Sequence, residues 1–394
     1  MRPLTIGIIG AGAAGAAAAK SLQAAVPEAQ IDLLTRTGEQ PFNRTLVNKG
    51  VSIGLLTPEQ SALPETGATL VADTVRGIDP RTRQVHLASG DTRTYDGLIV
   101  TTGSRPHTLG ENVLGRDDAL ASGRLTTLHS LADATGVRDQ IAALHSSARV
   151  LILGGGLLAA ETASLLTTAG HDVALISRST LPGFSAFGEH IAGELLELHR
   201  ARGATYLGCT IQAVRTHPDH ITIVLDNGER VEGDLAIIAH GTLPVAPSPW
   251  NGPAGIPVDD QLRLREAPGQ RIYAAGGVAL HDHPSLGAYR VDHWDDAAAQ
   301  GSHAARTLLH DHGHGEDPGV YRPFSTFTSN IHGHILAGAG HAGLGTTAQL
   351  ASTDPTLVIH EHEDVPVAAT GLDAIALVHQ WAPRLHQPPE PTTP

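Results

Sequence analysis

Two groups of glycines are the first residues here whose spacing suggests chemistry. Gly10, Gly12 and Gly15 follow the apolar run LTIGII, and Gly154, Gly155 and Gly156 follow RVLIL. In a GxGxxG turn the first glycine makes the bend. The second removes the Cβ that would keep the backbone from a pyrophosphate, and the third lets helix and strand pack closely. The helix start, here Ala13-Ala14 and Leu157-Leu158, then turns unpaired N–H groups and a positive dipole toward the phosphates. Two such turns in one chain predict two bound dinucleotides.

Few other side chains compete for chemistry. Cys209 is the single cysteine, which rules out an internal disulfide, a CxxC redox pair and a thiolate zinc site, and reads as a buried small residue. Of the 26 Lys and Arg residues only Lys20 and Lys49 are lysines, so each stands out from an arginine-rich background. The 24 histidines include the clusters HDH (281–283), HDHGH (310–314) and HEHE (360–363). They lack the spacing of a helical metal motif and fall in turn-rich segments, so surface histidines and no metal site are expected. Net charge is −14, which opposes non-specific nucleic-acid binding. No apolar run approaches the ~18 residues that cross a bilayer. The apolar N-terminus carries its glycines at nucleotide-binding spacing, so secretion is not expected and a cytoplasmic location is.

The elements that position the turns follow from periodicity. A strand at 4–9, a helix to about Ala25 and a strand at 31–35 form one strand–turn–helix–strand unit. Residues 149–153, a helix through about Ala169 and the strand 171–177 repeat it. Further strands are expected near 69–78, 83–87, 97–102, 204–215, 220–225, 235–239 and 272–275, with helices near 293–310 and 371–381. At 394 residues the chain has room for two or three domains. The expected fold is α/β, with two Rossmann-like dinucleotide-binding domains and a small C-terminal α+β domain. Its boundaries would be 1–106 with 240–318, 107–239 and 319–394, ending in a disordered tail, QPPEPTTP.

Several segments resemble the NAD(P)H–ferredoxin, rubredoxin and putidaredoxin reductases, pyridine nucleotide-dependent flavoproteins. PFNRTLVNKG (41–50) is similar to PYxRPPLSK, and YDGLIVTTGSRP (95–106) to YDxLxxATGxxP. LILGGGLLAAETA (151–163) matches the second glycine motif with its glutamate. IYAAGGVA (272–279) resembles IYAxGDVA, YRVDHWDDAAAQG (289–301) resembles RxEHWxxAxxQG, and FTSNIHG (327–333) resembles FWSDQYG. The resemblance implies FAD in the first fold and NADH or NADPH in the second. Hydride would pass from nicotinamide to flavin, and electrons would leave singly to a ferredoxin-like carrier. It places Lys49 near the flavin and pairs it with Glu161, the two as a buried catalytic pair. Implied cofactor contacts are Gly10, Gly12, Ala13, Ala14, Gly15, Arg36, Arg44, Lys49, Val75, Thr102, Gly103, Gly154, Gly156, Leu157, Leu158, Glu161, Ser177, Arg178, Gly241, Gly276, Gly277, His293, Trp294 and Ala297.

The departures matter as much. Gly277 stands where the family's aspartate reaches the ribityl hydroxyls, and Thr35-Arg36 where an acid usually meets the adenosine ribose. FAD is therefore expected to be held loosely, and an acid restored at 277 to tighten it where the local backbone tolerates a side chain. Thr328 replaces the tryptophan of FWSDQYG. Ser177 and Arg178 end the second fold's second strand where a carboxylate would select NADH, so NADPH is the expected preference. Two alternatives stay open: a flavoenzyme acting on a small molecule such as a quinone, and a nucleotide-binding protein that has lost turnover. Monomer and homodimer are both compatible with the sequence.

Overall fold

The computed structural model describes residues 2–38, 40–144, 147–283 and 286–387; residues 388–394, the bulk of the expected disordered tail, lie outside them. The chain divides into two compact units. The first comprises Met1–Asn43, Ala62–Arg105 and Thr242–Ser325, and the second Arg44–Ser61, Pro106–Gly241 and Thr326–Pro394. The segment bearing Arg44 and Lys49 and the C-terminal region thus both group with the second unit.

The first unit is built on five parallel strands in the spatial order Ile272–Ala274, Gly97–Val100, Thr5–Ile9, Gln30–Thr35, Thr69–Ala72. Runs such as TIGII and GLIV are apolar throughout because parallel strands are covered on both faces. Ile6, Ile8, Leu98, Ile99 and Tyr273 are fully buried among them. The helix Ala13–Ala25 packs against the helix Trp294–Asp311. Small residues permit a close approach: a Cβ on Gly301 would fall 2.0 Å from the Ala14 carbonyl oxygen.

The second unit repeats the plan with parallel strands in the order Ala204–Leu207, Asp172–Ser177, Arg149–Leu153, Leu235–Ile238, Leu125–Thr127. The helix Leu157–Thr168 follows its glycine turn. A five-stranded antiparallel sheet over residues 326–372 and the helix Ile375–Trp381 complete it.

Three expectations are corrected. The segment 69–78 divides into Thr69–Ala72 and Val75–Asp79, which belong to different sheets. The segment 204–215 breaks into Ala204–Leu207 and Ile211–Thr216 around Cys209. The final helix begins only at Ile375 because Val365–Leu372 remains a strand. A helical stretch not foreseen, Phe184–Arg200, is broken into two helices by a kink at Gly188, whose φ of +79° no other residue adopts comfortably. Among the described residues no helix is long and apolar enough to cross a membrane.

Candidate active site

In the first unit the three motif glycines do three different jobs. A Cβ on Gly10 would lie 2.3 Å from the Thr101 carbonyl oxygen, and one on Gly15 would lie 1.9 Å from the Gly10 carbonyl oxygen, so both are fixed by packing. A Cβ on Gly12 would meet nothing within 4 Å. Gly12 also caps the helix Ala13–Ala25, with no side chain bonded to the cap and no acid in the first turn. Its N–H groups therefore face an open cradle of the kind a pyrophosphate fills.

The second unit behaves alike. A Cβ on Gly154 would lie 2.3 Å from the Ala239 carbonyl oxygen, while one on Gly156 would again meet nothing within 4 Å. Gly156 caps Leu157–Thr168 without a side-chain bond. In the third position stands Ala159, fully buried. Each turn thus has its packed glycine and its open one.

Around the first turn, Gly276 has its Cβ direction 3.2 Å from the Ala297 Cβ and 3.3 Å from the Ala14 Cβ, which brings those three expected positions together. The Gly276 N–H donates to Gln300 Oε1 at 2.6 Å. Gly103 has φ +68° and open space beside it, and the Thr102 hydroxyl donates to the Val245 carbonyl. His293 caps the helix that begins at Trp294. Arg36 is exposed just past its strand, and the Thr35 hydroxyl accepts from the Gly38 N–H at 2.9 Å. Val75 begins a strand of a three-stranded antiparallel sheet and packs against the first unit's core. A Cβ on Gly277 would sit 2.5 Å from Asp292 Oδ1, so a simple aspartate restored there collides with an acid already present. An acid restored at 277 would therefore need the Asp292 carboxylate to move.

The expected ion pair forms within the second unit. Lys49 Nζ lies 3.1 Å from Glu161 Oε1. The Lys49 side chain is 40% exposed and that of Glu161 is 9%, so the pair is buried only on its acid side, which corrects the buried pair expected. Lys49 rides on a single π-turn, Val47–Val51, an irregularity frequent at functional sites. Two residues that sequence reasoning passed over complete the carboxylate's surroundings. Ser329 Oγ donates to Glu161 Oε1 at 2.5 Å and Asn48 Nδ2 donates to Oε2 at 2.9 Å. Thr162 Oγ1 in turn donates to Asn48 Oδ1 at 3.1 Å. Lys49 Nζ also donates to the Thr328 carbonyl at 3.3 Å, a backbone contact indifferent to loss of the tryptophan. The signals for Asn48 and Ser329 were their places inside the two matched segments. Arg44 Nη1 lies 2.8 Å from His129 Nε2.

At the carboxyl end of Asp172–Ser177, Ser177 is buried and its Oγ accepts from the Ser179 N–H at 3.1 Å. Arg178 is exposed. His240, just before Gly241, has its pKa pushed down to about 4, first by burial and then by the positive charges of Arg178 and His107. Gly241 has φ +83° and open space beside it.

The histidine clusters depart from expectation. His281, His283 and His360 are buried rather than on the surface. They lie on strands whose register turns them inward, and His281 stacks on Tyr289 at 4.6 Å. Among the described residues, no three ligand-type side chains are grouped to hold a metal. Cys209 is buried, and burial raises its thiol pKa.

Residues 4–301 match the pyridine nucleotide-disulphide oxidoreductase family. The chain is 27% identical over 314 residues to the anthranilate 1,2-dioxygenase system ferredoxin–NAD(+) reductase component of Burkholderia cepacia, covering 77% of this chain and 75% of that one. It is 26% identical over 361 residues to the rubredoxin-NAD(+) reductase of Pseudomonas putida, covering 86% of each. The fold superposes on putidaredoxin reductase in its covalent complex with putidaredoxin with a TM-score of 0.83, at 21% identity, over 96% of this chain and 92% of that one.

Proposed function

The chain belongs to the pyridine nucleotide-disulphide oxidoreductase family, and from that membership we propose that it is an FAD-dependent oxidoreductase taking hydride from NADPH or NADH and passing electrons to a ferredoxin-like carrier protein. The observation that carries this reading is the pair of open glycine turns, Gly12 and Gly156, each at the start of a helix with no side-chain cap bond. One chain with two such cradles suits a flavin dinucleotide and a nicotinamide dinucleotide. When bound, FAD supplies the conversion of a hydride into single electrons, which no side chain can perform. The chain's own residues bind and orient. The helix N-termini hold the pyrophosphates, and Lys49 and Glu161 are the pair assigned to hydride transfer. Within this chain the lone, buried Cys209 cannot form a redox disulfide, which favours a one-electron carrier over a dithiol route. Relatives named as ferredoxin and rubredoxin reductases support the same acceptor class.

A visible spectrum tests the reading. The purified or FAD-reconstituted protein should be yellow, bleach on anaerobic addition of the nicotinamide nucleotide, and then reduce a ferredoxin or rubredoxin. A protein that takes up no FAD, or whose flavin the nucleotides leave oxidised, would falsify it.

The finer proposal is a preference for NADPH. No carboxylate follows Ile176 to repel a 2′-phosphate, and the exposed guanidinium of Arg178 suits one. A charge-assisted contact of that kind contributes roughly 1.5–3 kcal/mol, or about tenfold and upward in discrimination. Reduction rates with the two nucleotides, in wild type and Arg178→Ala, measure it. Equal or faster reduction by NADH in the wild type contradicts the preference.

A further inference from the structure

Residue 277 is a glycine, yet its surroundings are not without an acid. The Asp292 carboxylate fills the volume that a side chain at 277 would enter: the Gly277 Cβ position is 2.5 Å from Asp292 Oδ1 and 2.9 Å from its Cγ. Its other oxygen is held firmly. Asp292 Oδ2 accepts from Ser104 Oγ at 2.6 Å and from the Thr242 hydroxyl, and lies 3.7 Å from Arg290 Nη1. Arg290 fastens the same loop from behind, donating to the Gly277 carbonyl at 2.8 Å and to the Thr242 carbonyl at 2.7 Å. These bonds orient the carboxylate through Oδ2 and leave Oδ1 directed over Gly277. The side chain remains 30% exposed, so a ligand can reach it.

The position is where an open α/β sheet binds its ligand, beyond the carboxyl ends of the strands. Ser104 follows the strand Gly97–Val100, and Gly277 follows Ile272–Ala274. A Cβ on Gly276, the neighbour of Gly277, would lie 3.3 Å from the Cβ of Ala14, in the first turn of the helix that Gly12 caps. The Cβ directions of the adjacent Gly276 and Gly277 thus point at Ala14, beside the open cradle at Gly12, and at the Asp292 carboxylate.

We infer that Asp292 does the work that position 277 has given up. Its Oδ1 accepts a hydrogen bond from a polyol hydroxyl of FAD, and glycine at 277 makes the room for that carboxylate. The inference rests on reading the first glycine turn as the FAD site. It replaces the expectation of loose binding: the acid has changed its place in the sequence and kept its place in space.

The test is FAD affinity of the apo-protein, read by quenching of flavin fluorescence, with circular dichroism and a thermal melt of each apo form to establish folding. Asp292→Asn should raise the Kd roughly tenfold or more, the loss expected for a charged hydrogen bond. Gly277→Asp, which forces two carboxylates into one space, should bind FAD more weakly than wild type. The exchange Gly277→Asp with Asp292→Gly should bring the Kd back to within a few-fold. Gly277→Ala adds one methyl against Oδ1 and should also weaken binding; it decides the matter if Asp292→Asn does not fold. A wild-type Kd in folded Asp292→Asn, or tighter binding in Gly277→Asp, overturns the inference. A wild-type protein with no saturable FAD binding instead overturns the reading of the site itself.

Discussion

Removing either partner of the Lys49–Glu161 pair should slow flavin reduction, but the two removals should differ sharply in their effect on stability. Lys49→Met takes one donor from a carboxylate that keeps Ser329 and Asn48. The lysine is 40% exposed, so the lost attraction lies toward the surface end of the scale, about 1 kcal/mol. Glu161→Ala strips the acceptor from three donors at once. Asn48 and Ser329 are each only 4% exposed, and a buried polar group left without a partner costs about 1–3 kcal/mol. Two of them give about 2–6 kcal/mol, before any loss of packing. At about 2–4 °C per kcal/mol for a unit of a few hundred residues, Lys49→Met should lower the melting temperature by a few degrees. Glu161→Ala should lower it by roughly 10 °C. Thermal unfolding of the apo forms measures the stability, and stopped-flow bleaching of the flavin by NADPH measures the chemistry. Lys49→Met should slow reduction while leaving NADPH binding nearly intact. If Lys49→Met lowers the melting temperature as much as Glu161→Ala does, the carboxylate is not what organises these donors and the reasoning fails.

The glycine turns and the buried histidines give further expectations. Gly12→Ala should leave the apo fold intact and weaken FAD binding, because its methyl points into open space, whereas Gly15→Ala should unfold the first unit against the Gly10 carbonyl; equal melting temperatures for the two would contradict this. Gly156→Ala should weaken nicotinamide nucleotide binding and spare FAD, which separate titrations of the two ligands will show. Burial holds His199, His240, His281, His303, His332 and His360 down at about 4. The folded chain keeps them neutral while the unfolded chain takes up protons below about pH 6.5, so stability should be full above about pH 6.5 and fall as pH drops toward 4. For the fully enclosed His281 the effect reaches about 3 kcal/mol at pH 4, and His281→Phe should flatten the decline; an unchanged pH–stability curve in that variant would refute the assignment.

Much of this molecule could be read from its residues, for physical reasons. The strands TIGII and RVLIL announce themselves because burial on both faces demands unbroken apolar runs. The glycine turns show because no other residue permits their contacts, and Lys49 and Glu161 show because each sits in a motif. What stayed hidden depends on three-dimensional company. The bend at Gly188 disguised the helix Phe184–Arg200. Nothing local says that Asn48 and Ser329, far apart in the chain, share one carboxylate. HDH and HEHE look solvated in sequence, yet strand alternation turns His281, His283 and His360 inward. Gly277 looked like a loss because the compensating Asp292 lies in another motif.

The first unit's division among three stretches of chain has a consequence for its birth on the ribosome. Its sheet gains its edge strand only with Ile272–Ala274, and its first helix gains its packing partner only with Trp294–Asp311. At about 5–20 residues per second, the apolar strand Thr5–Ile9 waits on the order of a quarter of a minute to a minute after synthesis before the segment that seals it emerges. The second glycine turn, with Arg149–Leu153, Asp172–Ser177 and Leu235–Ile238, is finished sooner. Nascent chains should therefore acquire a nicotinamide-binding core first and remain dependent on holdase chaperones until the late helix arrives. Shortening the chain before residue 294 should leave the N-terminal nucleotide fold sticky and unable to close.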